Sequence, residues 1–426
     1  MAQPPSVSVV GSGGHYGQAI TVGADGAMWL LGPRAGGRVP DLERVPTTAG
    51  RSRTYRIPGR PDVVVGLVAA QDGELWYAGN YLSFPGAAAI LSTTTAGRTK
   101  RFPITVAGGD AAVGGLVAGP QDTLWYTGDS SRGSFLIKMS LGGGAHRVLL
   151  SGDLSTFDAP LTFGPGGAFW ISSGYRVTTT GKARRVRGSG DAIVPGADGN
   201  LWLGAFPTAG IDRLSATGNK VVHFSFPASP FTSPNDGATA LAPGPDGNIW
   251  FVKSQQTRGA TVADSAGEID PQGHITLYPL PEGSDPQAIV AGPDGRMWIP
   301  TNSGAPHIIR IGPQMPTGGW PQAAQPRITA LNSSSRGIRV SVRCRGIPGL
   351  YCGGRLTLSV RAGRRRVKLA RTLVTAAAGQ GVDLVLRPRG LRSLAGGPVI
   401  VASTFDTRDF LGRHGHAVLE RRLRVT

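Results

Sequence analysis

ALAPGPDGNIWFV, residues Ala240–Val252, is one of seven stretches in this chain built to the same thirteen-residue plan. The others are AITVGADGAMWLL (Ala19–Leu31), GLVAAQDGELWYA (Gly66–Ala78), GLVAGPQDTLWYT (Gly115–Thr127), PLTFGPGGAFWIS (Pro160–Ser172), AIVPGADGNLWLG (Ala192–Gly204) and AIVAGPDGRMWIP (Ala288–Pro300). In each the eleventh residue is tryptophan: Trp29, Trp76, Trp125, Trp170, Trp202, Trp250 and Trp298. A short apolar run suits a strand, a turn rich in Gly, Pro or Asp follows, and a second strand brings the tryptophan back beside the first. In such a turn proline presets φ, aspartate bonds back to backbone amides, and glycine accepts positive φ without a Cβ clash. Successive tryptophans lie 47, 49, 45, 32, 48 and 48 residues apart. A strand-turn-strand core recurring at a period in the forties predicts a seven-bladed β-propeller.

Outward from these cores, GEIDPQGHITLYPLP (Gly267–Pro281) and AGIDRLSATGNKVVHFSFP (Ala209–Pro227) read as outer hairpins closed by glycine-containing turns. The unit at Trp170 has the shortest continuation and is expected to have the shortest loops. The last unit has PHIIRIG for a third strand and no fourth; SVSVV, Ser6–Val10, is expected to supply it and close the ring. One tryptophan per blade on the same strand predicts blade-to-blade packing rather than a binding surface.

The 65 glycines and 33 prolines suit a protein of short strands and tight turns. The sequence predicts three segments: a propeller over 1–312, a Pro/Gly-rich linker over 313–326, and a basic domain over 327–426. In that last segment GIRVSVRC, GRLTLSVRA, RRVKLARTLV, GVDLVLRP, PVIVASTF and AVLERRLRV alternate apolar and polar residues, as in an antiparallel immunoglobulin-like β-sandwich. It holds 20 Lys and Arg against 4 Asp and Glu, whereas the rest of the chain holds 24 against 22. Such a field attracts anionic cell-wall polymers or membrane surfaces. Nucleic acid ranks below these, because no aromatic residues interleave the basic ones. The only cysteines, Cys344 and Cys352, flank a Gly/Pro turn between two strands, so a hairpin disulfide and an oxidising, extracellular or cell-surface location are expected. No apolar run is long enough to span a membrane, and the opening MAQPPSVSVV does not have the form of a signal peptide.

The repeats GPDGNIWF (Gly244–Phe251) and AIVAGPDGRMWI (Ala288–Ile299) resemble those of the streptogramin lyase (virginiamycin B lyase) family. The resemblance runs over roughly residues 6 to 312. It implies a seven-bladed propeller and Mg²⁺-assisted opening of cyclic streptogramin B antibiotics at their ester by elimination, with His and Glu of the repeat as base and metal contacts. Here the His slot holds Gln18, Val65, Gly114, Ala159, Asp191, Thr239 and Gln287, and the Glu slot holds Gly32, Gly79, Gly128, Ser173, Ala205, Lys253 and Thr301. None is histidine in the first set or a carboxylate in the second, so no catalytic or metal-binding residue is assigned.

Aspartates gather just before the first strands: Asp62, Asp110, Asp158, Asp191, Asp236 and Asp285. With the polar occupants of the family slots they define a candidate ligand site at the channel mouth, made of Gln18, Asp191, Asp236, Lys253, Asp285 and Gln287. His15 is expected at the same mouth. His414 and His416 form an H-x-H pair without an apparent third ligand. The expected function is ligand recognition by the propeller, with the basic domain as anchor or partner-binding module; a diverged lyase and a structural assembly module are the alternatives.

Overall fold

The computed structural model is all-β. Among the described residues the only helical element is one short turn, Pro165–Gly167, and no helix is long and apolar enough to cross a membrane. The structure describes residues 7–11, 15, 17–48, 50–81, 87–104, 111–119, 123–130, 133–149, 159–205, 209–227, 237–253, 264–281, 284–302, 307–312, 325–334, 337–345, 351–362, 365–377, 381–387, 398–408 and 414–424. Most of the expected linker therefore lies outside the described residues. The chain divides into two compact units, Met1–Trp320 and Pro321–Thr426.

The N-terminal unit holds seven four-stranded antiparallel sheets. Sheet one is Ala19–Val22, Met28–Pro33, Pro40–Val45 and Arg53–Arg56, and sheet two is Val63–Ala69, Leu75–Tyr81, Ala87–Thr93 and Thr99–Ile104. Sheet three is Ala111–Gly119, Thr123–Ser130, Gly133–Ser140 and Ala145–Leu149. Sheet four, whose strands have three or four residues each, is Leu161–Gly164, Ala168–Ile171, Tyr175–Val177 and Ala183–Arg185. Sheet five is Gly190–Pro195, Leu201–Ala205, Gly210–Leu214 and Val221–Ser225, and sheet six is Ala240–Pro243, Ile249–Lys253, Ser265–Ile269 and Ile275–Pro279. Sheet seven joins Val290–Ala291, Met297–Pro300 and His307–Ile311 to Val7–Gly11 from the start of the chain, with Val7 opposite Ile311 and Gly11 opposite His307. The first and last strands of the unit thus share one sheet, which covers an edge that would otherwise invite pairing with another chain.

The first strands of successive sheets lie side by side, and that of sheet seven returns to that of sheet one. Tryptophan links the sheets outward. Trp29 packs with Val64, Leu67, Leu75 and Tyr77 of sheet two, Trp202 with Leu241, Ile249 and Phe251 of sheet six, and Trp298 with Ile20, Met28 and Leu30 of sheet one. The arrangement is a propeller fold.

The turn chemistry explains the repeat. In sheet six the Asp246 carboxylate accepts from the Asn248 amide at 3.1 Å, which tightens the turn, and from the Trp250 indole Nε1 at 3.0 Å. The same indole bond joins Trp29 to Asp25, Trp76 to Asp72, Trp202 to Asp198 and Trp298 to Asp294. Gly247 holds φ at +89°, open to glycine at no steric cost. A Cβ added at Gly244 would lie 2.3 Å from Trp250, so the ring is seated directly on the backbone there. Where aspartate is missing, Thr123 Oγ1 accepts from Trp125 at 2.9 Å and the Pro165 carbonyl accepts from Trp170 at 3.3 Å. A buried indole N–H without an acceptor costs about 1–3 kcal/mol, which accounts for the substitute partners.

Across the ladder from each tryptophan, on the third strand, stand Arg44, Ser92, Lys138, Arg176, Arg213, Glu268 and Arg310. The cations over Trp125, Trp170, Trp202 and Trp298 lie 5.3 to 5.7 Å from the ring. Arg44 instead donates to Asp25 at 2.6 Å.

The C-terminal unit has a three-stranded sheet, in the order Gln325–Ser334, Gly337–Arg345, Gly381–Leu386. It also has a four-stranded sheet, in the order Arg365–Ala377, Tyr351–Ala362, Pro398–Arg408, His414–Arg424. Leu331, Ile338, Val340 and Val342 of the first share one core with Leu356, Leu358, Val401 and Phe405 of the second. The sequence reading of residues 339–360 as a hairpin is corrected here. Gly337–Arg345 pairs with Gln325–Ser334 and Gly381–Leu386, whereas Tyr351–Ala362 belongs to the other sheet. Cys344 is buried in the core and is not a free thiol; the side chain of Cys352 lies outside the described residues.

Candidate functional site

Since the turn aspartates sit at one end of each second strand, residues three and four past tryptophan lie at the other. The loops that enter the first strands arrive at that same end. Among the described residues, sheets six and seven join several polar groups there.

Lys253 closes the second strand of sheet six and is 3% exposed, with its amine 5.6 Å from the centre of the Phe226 ring. Its register partner, Ser265, follows Asp264, a buried carboxylate whose Oδ2 accepts the Asp285 amide at 2.8 Å. Asp285 is half-buried, holds φ at +44°, and accepts from Gln287 Nε2 at 2.7 Å. Positive φ at a residue with a Cβ is uncommon and persists where surrounding bonds impose it. Those bonds include Asn302, whose amide donates to the Ser284 and Asp285 carbonyls at 3.1 and 3.2 Å, and a bridge between Pro286 and Thr301. Thr301 is fully buried; its hydroxyl donates to the His307 carbonyl and accepts the His307 amide. The Asp264 bond ties the entry loop of sheet seven to the start of sheet six's third strand, and the others tie that loop to the far end of sheet seven's own second strand.

The structure therefore brings Lys253, Asp285 and Gln287 onto neighbouring sheets. Gln18 is exposed at the start of sheet one, beside sheet seven, where a Cβ on Gly17 would lie 2.3 Å from Pro300. Asp191 is exposed at a register shift in the first strand of sheet five. These residues lie along consecutive sheets five, six, seven and one rather than in one uniform ring. Asp62 is exposed in sheet two's entry loop. Asp110, Asp158 and Asp236 lie outside the described residues.

Sequence reasoning did not single out Asp264, or the residues four past tryptophan. Asn80 donates from Nδ2 to the Val113 carbonyl at 3.2 Å and accepts the Val113 amide at 3.1 Å, joining sheets two and three. Asp129 accepts from Ser134 Oγ at 2.5 Å. A scan of that single position along the repeat, which gives Asn80, Asp129 and Asn302, would have found them.

His15 lies ahead of sheet one, in a bridge with Arg34 just past the second strand. It is 1% exposed, with Nδ1 3.1 Å from the carboxylate of fully buried Glu43. His223 pairs with Asp212 at 2.7 Å and His274 with Asp270 at 2.8 Å, while His416 pairs with Asp406 at 2.5 Å.

The residues do not fit the family's magnesium. No three His, Cys, Asp or Glu side chains gather around a common point among the described residues, and the Glu slot of sheet six holds the buried amine of Lys253. A divalent cation there would meet a basic nitrogen instead of hard oxygen ligands.

Residues 161–318, which span sheets four to seven, match the model of the virginiamycin B lyase family. The resemblance read from the repeats is borne out over those sheets. No curated protein matches the chain. Among solved structures, the chain is similar to the extracellular domain of a hybrid two-component system from B. thetaiotaomicron, with TM-score 0.56 and 13% identity. That likeness covers 99% of this chain and 60% of that one. It is also similar to the GH74 xyloglucanase of Xanthomonas campestris, with TM-score 0.50 and 14% identity over 80% of this chain and 60% of that one. At these identities the likeness speaks for the fold, and this chain spans only 60% of either protein's length.

Proposed function

We propose that this protein is a seven-bladed propeller that binds a small ligand at the loop end of sheets six and seven. Its C-terminal unit serves as a basic, immunoglobulin-like anchor. The seven sheets with first strands in cyclic contact support the blade count. Named A, B, C, C′, E, F and G in chain order, the C-terminal strands give sheets A-B-E and C′-C-F-G, the arrangement of an immunoglobulin-like sandwich. Pairing of Cys344 with Cys352 would then staple one sheet to the other. With the extracellular relative, it favours an extracellular or cell-surface location.

The observation behind the ligand site is Lys253: a lysine 3% exposed, in the slot where the family places glutamate, with Asp264, Asp285 and Gln287 at the same end. A buried amine is costly to hold unless its hydrogen bonds serve a purpose. Lys253, Asp264 and Asp285 are partnered within the fold; an ammonium has three N–H groups and a carboxylate about four acceptor sites, so a ligand's carbonyl and N–H groups can share them beside the apolar face of Phe226. A compact peptide-like molecule meets all three. The reading is recognition rather than elimination, because no histidine or glutamate occupies the slots that would supply a base.

Calorimetry with a streptogramin B depsipeptide as probe tests this. Saturable binding that weakens at least tenfold in Lys253→Ala, with the macrocycle intact in solution, is expected. Ring opening would establish the lyase reading instead. An absence of binding to the folded parent sinks the peptide-ligand assignment.

A further inference from the structure

Four arginines of the C-terminal unit share the exposed face of its three-stranded sheet. Along Gly337–Arg345, Ile338, Val340, Val342 and Cys344 are buried while Arg339, Arg343 and Arg345 are exposed. Arg327 of the neighbouring strand is exposed and stands directly opposite Arg343; Arg345 faces Gln325, and Arg339 faces Asn332 on one side and Val385 on the other. Among the described residues, none of these four guanidiniums has an ion-pair or side-chain hydrogen-bond partner. The carboxylate on this face is Asp383, opposite Ser341.

Like charges placed directly across a ladder destabilise it, so folding does not favour Arg327 facing Arg343. The other sheet also carries exposed Lys368, Arg371, Arg421 and Arg422, but there Arg366 bonds Glu420, His416 bonds Asp406, and exposed Val367, Ile400 and Val418 interrupt the charge.

We propose that the face of Arg327, Arg339, Arg343 and Arg345 binds a linear poly(polyol phosphate) chain. This rests on the anchor reading above and gives it a surface and a partner. Arginines two residues apart on a strand present charges about 7 Å apart, a row that matches a linear polymer. Their planar forks match phosphate bidentately. Gln325–Ser334, Gly337–Arg345 and Gly381–Leu386 include no aromatic residue on which bases could stack, which sets nucleic acid aside. Val385 is the single large apolar residue exposed on these strands, too little to enter a bilayer.

The test is fluorescence anisotropy of labelled poly(glycerol phosphate) with the full chain between 50 and 200 mM salt. Four phosphate contacts give a log–log salt slope of about −3, or roughly 50-fold weaker binding across that range. The triple variant Arg339→Ser, Arg343→Ser, Arg345→Ser is expected to flatten the slope by about two. Lys368→Ser, Arg371→Ser, Arg422→Ser, which removes equal charge from the other sheet, is expected to change binding less than twofold. Equal losses in the two variants overturn the proposal in favour of a diffuse field. It is also overturned by tighter binding of an oligothymidylate or of phosphatidylglycerol vesicles, or by no polymer binding to the folded parent. The depsipeptide titration of the parent and the triple variant keeps the two readings apart, since depsipeptide binding belongs to the N-terminal unit and is expected to be the same in both.

Discussion

In the N-terminal unit, the residue facing tryptophan across the ladder is cationic in five of seven sheets, and the fold uses that charge. Arg213 lies 5.6 Å from the Trp202 ring, 3.8 Å from Asp198, and donates to the Pro271 carbonyl at 2.6 Å. Arg310 repeats the pattern with Trp298 and Asp294. On the exposed face of the C-terminal three-stranded sheet, Arg327, Arg339, Arg343 and Arg345 have no such partners among the described residues. One residue type thus plays two physical roles: an internal clasp where tryptophan and aspartate wait for it, and a source of external field where no described side chain pairs with it. The two roles separate under mutation.

The clasp is strongest at its centre. Trp202 is buried and bonded to Asp198. Trp202→Ala leaves a cavity between sheets five and six and is expected to cost about 3–5 kcal/mol in urea unfolding. A midpoint equal to the parent's would refute the packing role. The partner cation matters less. Arg213→Ala removes the ring contact and the bond to Pro271 and is expected to cost about 1 kcal/mol. It should cost visibly more than any arginine of the three-stranded sheet; if it does not, the contrast between the units fails.

Why the clasp was legible and the site was not follows from the repeat. Seven copies place tryptophan and its turn in register, so their shared role emerges from spacing alone. Asp264 precedes a third strand that starts 15 residues after Trp250, whereas the equivalent strand starts five after Trp170, so no fixed position marks it. His15 meets Glu43 through a fold contact that no local pattern encodes. The turn between Cys344 and Cys352 reads the same whether its strands pair or cross between sheets. Lys253, in contrast, was visible because it breaks the slot it occupies.

Sheet six breaks the clasp as well, since Glu268 replaces the cation opposite Trp250. Burial is the main cause that raises the Glu268 carboxyl above its ordinary 4.5, and neighbouring Asp246 adds to the rise, while Tyr278 and Asn248 donate to it at 2.6 and 2.9 Å. A raised folded value means that the folded state holds the proton more tightly. The stability it contributes is complete below 4.5 and is lost as pH rises through the folded value. Asp25 in sheet one has the opposite sign. Burial alone would raise it, but the bonds from Arg44, Trp29 and Ala27 together outweigh that and hold it below 3.8. Its contribution is present above 3.8 and is lost as pH falls through the folded value. Glu268→Gln should therefore flatten the stability–pH curve just above 4.5 and leave the acid limb below 3.8 in place. Unchanged curvature above 4.5 would remove Glu268 as its source.

The smallest expected effect on stability belongs to the outer sheet face. Arg343 is exposed, directly opposite Arg327, and without an ion-pair partner among the described residues. Arg343→Ser removes no contact that the fold uses and relieves a like-charge pair, so the urea midpoint should move by less than about 0.5 kcal/mol, and upward if it moves at all. The same substitution should weaken binding to poly(glycerol phosphate) and reduce its salt slope by about one. Arg213→Ala should do the reverse, losing stability and leaving the slope unchanged. If Arg343→Ser destabilises as much as Arg213→Ala, the outer arginines are structural after all, and the charge of the C-terminal unit needs another explanation.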